Sequence, residues 1–577
     1  MLESAMNVLQ QFRRPKELPF RADERSHVTV LFGGLTWKHE WMIQSVLRRN
    51  GFRCRRLSVP DRHSHEVGKE YCSNGLCNPA YFTVGNLIGY LRGLEHTQSR
   101  EEIVRNYVFF TAGCDGPCRF GMYEAEFRSA LNAAGYNGFR ILSFQQEKGV
   151  KGSSGQSGLP FTIDFGMDAL HAFILGDLLH HLHHRLRPYE VQAGESERMV
   201  EAVAAEIGRY LESAERFELA EFAPEFLRPL LESHRASRAC RVSNTTGKVL
   251  THLHGRDLRA TLVECRERMN QMEVDWLRVK PIVKVIGEFW AQQTESDGNY
   301  QMFRFLEEEG AEVSVEPLSN WIMYLLHQFK QRSIYRSRLF PHDAPWSNPI
   351  NALHKRAAYL GKLCLYTLGE RIYQSHYARL QAALMETTDP LASQRELAEL
   401  SDPYYNSALR GGEAHLEVAK NLYYTKHHLC HMVLDLKPFG CLPSLQSDAV
   451  QAGLSERFPG MLFLSVETAA EGDVHAYSRV QMALAEARVK TKSEFESTLR
   501  RIKRPLAEIR QYVSRHPELR SPWFRVSRRP GVISTAANFV LDVDTLMTHT
   551  GDRGSVSRTN PVKGALPCVP STRHQEV

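Results

Sequence analysis

Apolar runs of strand length, each followed by an amphipathic run of helix length, recur along this chain, and that order constrains its fold more than any other feature. VTVLFGG, residues 28–34, reads as a buried strand, and residues 37–49 read as a helix closed by Gly51. Further strands are expected at 52–57, 106–112 and 139–144, with helices at 79–94 and 120–134. A second alternation gives a strand at 281–289, a helix at 300–309, a strand at 312–316 and a helix at 320–328. A third gives a helix at 413–427, strands at 431–436 and 461–466, and a helix at 478–488. Strands separated by helical crossovers pair in parallel, and helices then cover both sheet faces. The expected class is α/β, with several flavodoxin-like parallel-sheet units carrying helical insertions. The units are expected at 27–150, 279–400 (with a helical insertion from about 345) and 401–490. Around them stand an N-terminal extension (1–26), a mainly helical connector (151–278) and a basic, partly disordered tail (491–577).

Composition narrows the class. At 577 residues the chain has room for about three or four domains. Its 42% hydrophobic and 24% charged residues exclude wholesale disorder. The net charge is +6, yet residues 500–529 carry ten Lys or Arg against two Glu, a local excess of +8, so the remainder is slightly acidic. Ile502, Leu506, Ile509 and Val513 fall at near-helical spacing. The tail therefore reads as an amphipathic helix with a solvated basic face, or a docking arm for an acidic partner or CoA phosphates, and nucleic acid is not expected. The greasiest stretch, 167–182, is broken by Asp168, His171 and Asp177 and reads as a buried helix, not a membrane span. With no secretory leader pattern at the start, the expected location is cytoplasmic, and the eleven cysteines are expected to be reduced.

Three cysteine-bearing segments share one local design. Cys72 and Cys77 lie in YCSNGLCNPAYF, before a helix whose first turn holds Pro79. Cys114 and Cys118 lie in FFTAGCDGPCRFGMYE, between a strand and a helix. Cys441 lies in LDLKPFGCLPS, after a strand. Loops that follow parallel strands gather at one sheet edge, so distant cysteines can converge there. Thiols at helix N-termini are expected to have lowered pKa values, and neighbouring glycine and proline let backbone amides approach the sulfurs. A structural zinc site is the rival reading, from the spacings C-x4-C and C-x3-C, but it leaves Cys441 without a role.

Taken in order, NGLCNPAYFTVGNLI, TAGCDGPCRFGMYEAEFR, RPYEV, IGEFWAQQTESDGNYQ, KPFGCLPS and YSRVQMAL resemble the cysteine-bearing C-terminal region of activase-related proteins of the 2-hydroxyacyl-CoA dehydratase family. The resemblance covers residues 28–488. It implies a [4Fe-4S] cluster, or a double-cubane relative, held by Cys77, Cys118 and Cys441, with Cys72 or Cys114 as a fourth ligand. It further implies an ATP-dependent activase or reductase as partner, a homodimer or a related cluster-bearing subunit, and an acyl-CoA substrate. The chain departs from the family in two respects. It shows neither an actin-like ATPase module nor a Walker A pattern, so the ATPase is expected on a separate partner. Asn78 also stands where many relatives carry an aromatic residue. The expected role is the cluster-bearing component of a dehydratase- or reductase-like complex, with a non-catalytic electron carrier or assembly scaffold as the alternative.

Other residues carry lesser expectations. Glu467 and Glu288 each follow a strand and could hold a proton beside the cysteines, although a carboxylate at a helix start is the plainer reading. His431, near Cys441 in sequence, is a candidate fourth ligand or proton donor. His180, His181, His183 and His184 form HHLHH, read as polar residues at a helix C-terminus, with His180 and His184 one turn apart as a weaker metal pair. Residues 152–158 read as a flexible Gly/Ser loop.

Overall fold

The computed structural model describes residues 17, 20–114, 116–145, 149–151, 162–222, 224, 228, 237–338, 349–385, 390–409 and 411–551. The first unit runs β1 (Thr29–Phe32), α1 (Trp37–Arg49), β2 (Cys54–Arg56), α2 (Arg62–Tyr71), α3 (Asn78–Leu94), α4 (Arg100–Asn106), β3 (Tyr107–Gly113), α5 (Tyr123–Ala133), β4 (Arg140–Gln145) and β5 (Gly149–Lys151). Its sheet has the order β2-β1-β3-β4-β5, parallel except for the antiparallel edge strand β5. Every residue of β1 is buried, as a strand covered on both faces requires. The Gly/Ser loop at 152–158 lies outside the described residues.

Helices α6 (Ile163–Leu186), α7 (Glu195–Ser213), α8 (Arg238–His254) and α9 (Arg256–Met269) follow, with a single helical turn at Leu219–Phe222 between α7 and α8. The second sheet draws together the second and third alternations. It comprises β6 (Ile282–Gly287), α10 (Met302–Glu308), β7 (Glu312–Ser314), α11 (Leu318–Arg338), α12 (Pro349–Met385), α13 (Gln394–Ser401), α14 (Ala414–Lys426), β8 (Met432–Pro438), α15 (Leu442–Arg457) and β9 (Phe463–Thr468). The strand order is β7-β6-β8-β9, all parallel. The two stretches expected as separate units, 279–400 and 401–490, thus supply two strands each to one sheet. Both sheets place their first strand second in order, so each reverses direction between its first and third strands. That reversal opens a crevice at the carboxyl edge, where ligands bind in doubly wound sheets.

The chain ends in α16 (Asp473–Ile502), α17 (Leu506–Arg515) and α18 (Thr535–Gly551). The expected amphipathic helix is present: Ile509 and Val513 of α17 are buried, while Arg510 and Arg515 are exposed, and the segment packs more deeply than a docking arm would. Ile509, Val513, Leu519, Trp523, Phe539, Val540 and Val543 are buried in the same core as α6, α7 and α9. Its arginines find partners across the fold: Arg504 with Asp544 at 2.6 Å, Arg520 with Glu273 at 2.6 Å and Arg529 with Asp542 at 2.8 Å. Residues 552–577 lie outside the described residues. Among the described residues, no helix is long and apolar enough to cross a membrane.

Candidate functional site

The carboxyl edges of the two sheets face each other. The Asn78 amide donates to the Phe439 carbonyl at 3.0 Å, and the Arg62 amide donates to Asp297 Oδ2 at 3.0 Å. The Phe82 and Trp290 rings meet at 5.6 Å.

Each of Cys77, Cys118 and Cys441 stands immediately before a helical segment, at its N-cap, with extended backbone. Cys77 and Cys441 are each followed two residues later by a proline in the first turn, where the absent N–H costs no hydrogen bond. Two glycines let the loops close on one another. Gly440 has φ +79°, and a Cβ there would lie 3.2 Å from the Leu76 carbonyl oxygen and 3.5 Å from Cys77 Cα. Gly412 has φ +84°, and a Cβ there would lie 2.4 Å from Pro443 Cγ and 3.7 Å from Cys118 Cβ. The Cys77, Cys118 and Cys441 loops therefore come together at the facing edges.

Glu288, in the loop after β6, is the carboxylate the three thiols share. Its charge raises the pKa of each of them. It accepts the Trp290 and Ala291 amides at 3.0 Å each, and burial raises it to about 7. The expectation that helix N-termini lower these thiol pKa values is corrected. Burial pushes Cys77 up to about 12, ahead of the lowering effect of the Tyr123 hydroxyl, which sits 2.9 Å from its sulfur. Cys441 is also pushed up, by burial first and then by Glu288 and Glu417. Cys118 is raised first by its hydrogen bond with Cys114 and then by burial. Removing thiols from water disfavours their anions by more than partial helix charges favour them. A bound cation reverses that balance, because metal-coordinated thiols lose their protons.

The remaining candidates separate. Cys114 lies beside Cys118, its sulfur 3.9 Å from the Cys118 carbonyl. Cys72 ends α2 in the apolar core of the first unit, next to Glu126 and Lys69. Glu467 lies at the carboxyl end of β9, paired in register with Lys437, and its side chain is exposed. His431 is at the opposite, amino edge of the second sheet. Its Nδ1 accepts the Ile282 amide at 3.0 Å and its Nε2 pairs with Glu494 at 3.0 Å, so the fold takes it away from Cys441.

Sequence reasoning missed Tyr123, Ser444, Glu417 and Gly412. Ser444 Oγ lies 3.2 Å from Cys441 Sγ and donates to Glu417 Oε1 at 2.7 Å, linking a buried carboxyl to the thiol. The C-x-x-S spacing on a helix start was the available signal. Glu417 and Gly412 reach the site from sequence neighbourhoods without a motif.

Among the described residues, no three cysteine sulfurs lie within 4.8 Å of one another. The HHLHH residues lie at the C-terminal end of α6, with His183 and His184 in its last turn. His180, His183 and His184 are buried there, and burial pushes His180 and His183 well down. Burial lowers His184 too, but Glu307 and Glu295 prevail and raise it. No family model, curated protein or solved structure matches the chain.

Proposed function

We propose that this chain is the iron–sulfur component of a 2-hydroxyacyl-CoA dehydratase-like, ATP-coupled, low-potential redox system, with its ATPase on a separate partner. The observation that carries this reading is the meeting of three cysteine loops from the carboxyl edges of two doubly wound sheets. Cys77, Cys118 and Cys441 would hold a [4Fe-4S] or double-cubane cluster. When bound, such a cluster supplies one-electron transfer at low potential, tuned by hydrogen bonds and burial.

The donor set fits. Two buried thiols, Cys77 and Cys441, and the half-buried Cys118, each with its own hydrogen-bond partner and beside loops shaped by glycine, suit an anionic group largely shielded from water. Sulfurs on one zinc ion at about 2.3 Å would stand about 3.8 Å apart, and among the described residues no three cysteine sulfurs lie within 4.8 Å of one another. In this reading Tyr123 and Ser444 orient Cys77 and Cys441, and Glu288 is the proton-holding carboxyl whose charge acts on all three thiols. The carrier or scaffold alternative rests on Cys114, whose place beside Cys118 lets it complete a fourfold thiolate set.

The test is anaerobic purification with iron and acid-labile sulfide analysis and EPR of the reduced protein. Both elements are expected, and each of Cys77→Ser, Cys118→Ser and Cys441→Ser should abolish them while Cys265→Ser and Cys364→Ser do not. Stoichiometric zinc without sulfide overturns the reading. Change of the EPR signal on adding an acyl-CoA supports a catalytic component; an unchanged signal supports the carrier. Reduction by a ferredoxin without ATP would remove the ATP-coupled partner.

A further inference from the structure

A second cluster of donor groups lies in the helical layer, outside the cysteine edge. Asp168 and His171 stand one turn apart on α6, His252 on α8 and His376 on α12. Asp168, His171 and His252 each place one donor atom within 4.8 Å of the other two. The Nε2 atoms of His171 and His376 lie 2.9 Å apart. Ligand atoms around a tetrahedral ion at about 2.0–2.1 Å stand about 3.3 Å from one another, so Asp168, His171 and His252 form the nucleus of a site, and His376, which meets His171 but does not lie within 4.8 Å of all three, joins it by a shift of its ring.

The surroundings orient Asp168, His171 and His252 as metal ligands are oriented, by a partner on the other atom, whereas His376 Nδ1 is buried with no hydrogen-bond partner. Asp168 Oδ1 accepts from Arg49 at 2.7 Å, while Asp168 Oδ2 is buried with no hydrogen-bond partner. Asp168 as a whole is fully buried, and an unpaired carboxylate oxygen there is costly unless something binds it. His252 Nε2 faces Asp164 Oδ1 at 3.4 Å, and Asp164 is itself fixed by Lys248 at 2.7 Å, which leaves His252 Nδ1 on the Asp168 side. His171 is hydrogen-bonded to the His252 backbone carbonyl. Burial keeps His171 and His376 neutral, the state in which imidazole ligates.

The other histidine group differs on the decisive point. His180 Nδ1 and His184 Nε2 face Glu295 Oε1 at 3.5 and 3.4 Å, but the Lys38 ammonium binds that same oxygen at 2.5 Å. A side-chain cation already holds the position an ion would take. At Asp168 the guanidinium binds Oδ1, and Oδ2 has no hydrogen bond of ordinary geometry, although the Asn50 side chain stands beside the carboxyl.

We propose that Asp168, His171, His252 and His376 bind a divalent first-row transition metal of the zinc class, which pins α6, α8 and α12 together independently of the cysteine site. Three imidazoles and one carboxylate suit zinc or cobalt better than calcium or magnesium. The ion adds no redox step; it cross-links the helical layer.

The probe is Co(II), added to full-length, chelator-treated protein under anaerobic, reducing conditions. One ion per chain is expected, with visible ligand-field bands and no thiolate charge-transfer band in the near-ultraviolet. His171→Gln with His376→Gln should abolish binding, and His180→Gln with His184→Gln should leave it unchanged. Should the first pair fail to fold, Asp164→Asn serves instead, weakening Co(II) about 10- to 100-fold by releasing His252. Zn(II) should raise the Tm of the wild type and not that of a folded His171/His376 variant. The proposal is overturned if no Co(II) binds, if its spectrum is thiolate-dominated and vanishes with Cys77→Ser, or if binding follows His180 and His184. Because the cysteine reading is scored by sulfide and EPR, either proposal can fail alone.

Discussion

The facing sheet edges and the helical layer both take polar side chains out of water, by opposite means. At the edges, short loops do it. Cys77, Cys118 and Cys441 each sit at a helix start, and Gly412 and Gly440 let the loops close. In the helical layer, α6 buries Asp168, His171, Asp177, His180, His183 and His184 on its own length and relies on partners from distant helices. Asp177 shows the pattern: it accepts the Leu318 and Ser319 amides at 2.6 and 2.8 Å and faces His39 at 3.1 Å. A loop site declares itself through local residue types, whereas a helical site exists only once the tertiary fold is made.

The largest effect expected from this contrast concerns the chain's last helices. Truncation after Lys492 removes Phe495, Ile509, Trp523, Phe539 and Val540 from the core that encloses α6. Each fully buried large side chain contributes about 1.5–3 kcal/mol, against a total stability of about 5–15 kcal/mol. The truncated chain should lose cooperative unfolding in circular dichroism. A cooperative transition retained at the wild-type Tm would show that the helical layer does not need this segment.

How much was legible follows the same division. The strands could be read because β1, β6 and β8 are buried along their whole length and are mainly apolar, with only Lys284 in β6 and Asp435 and Lys437 in β8 interrupting the runs. Helix α2 was missed, since its contact with α3 uses no apolar stripe. A Cβ on Gly68 would lie 1.9 Å from the Tyr81 carbonyl oxygen, and one on Gly85 1.8 Å from that of Ser64, so the backbones touch through small residues. Helix α17 was legible from the spacing of Ile509 and Val513, but its packing into the helical core was not, because the arginine partners Asp544, Glu273 and Asp542 cannot be assigned from local sequence. The cysteine triad was legible as a pattern, and Glu288 as a carboxylate after a strand. Asp168 with His252 and His376 was not, because three helices far apart in sequence supply it.

Next in size is Lys38→Met. Lys38 is buried, and together with the nearby histidines it holds the Glu295 carboxyl well below the usual range despite the upward push of burial. Removing the ammonium leaves that carboxylate poorly compensated, at a cost of about 3 kcal/mol by urea denaturation. A change below about 1 kcal/mol would mean the histidines compensate Glu295 unaided, and the ion pair would lose its place as the feature separating the two histidine groups.

At the cysteine edge, Glu288→Gln should give a smaller, pH-dependent effect in metal-free protein. The folded-state pKa is raised to about 7 from the ordinary 4.5. Its protonation therefore favours folding most below pH 4.5, and that stabilisation is lost as pH rises through 7. Glutamine can still accept the Trp290 and Ala291 amides. The variant should match the wild type near pH 4.5 and exceed it by about 2 kcal/mol at pH 8. Parallel stability curves across this range would place the Glu288 carboxyl in contact with water and withdraw it as the proton holder of the site.

The smallest stability effect belongs to Gly440→Ala, and it separates the two regions most sharply. At φ +79° an alanine is strained by about 1 kcal/mol, and its methyl meets the Leu76 carbonyl across the loop contact. The strain is confined to the edge, so the helical core should keep its cooperative unfolding with only a small loss in midpoint. The Cys77 and Cys441 loops, however, must move apart by a few tenths of an ångström. Ligands fixed by loop contact have little means of recovering that distance, whereas donors on packed helices are held by many side chains. Iron and sulfide content should therefore fall in Gly440→Ala while Co(II) binding in the helical layer stays at the wild-type level. Equal loss of both would show that the two regions are one cooperative unit; full iron loading would show that the loops tolerate displacement and that the glycine serves the turn alone.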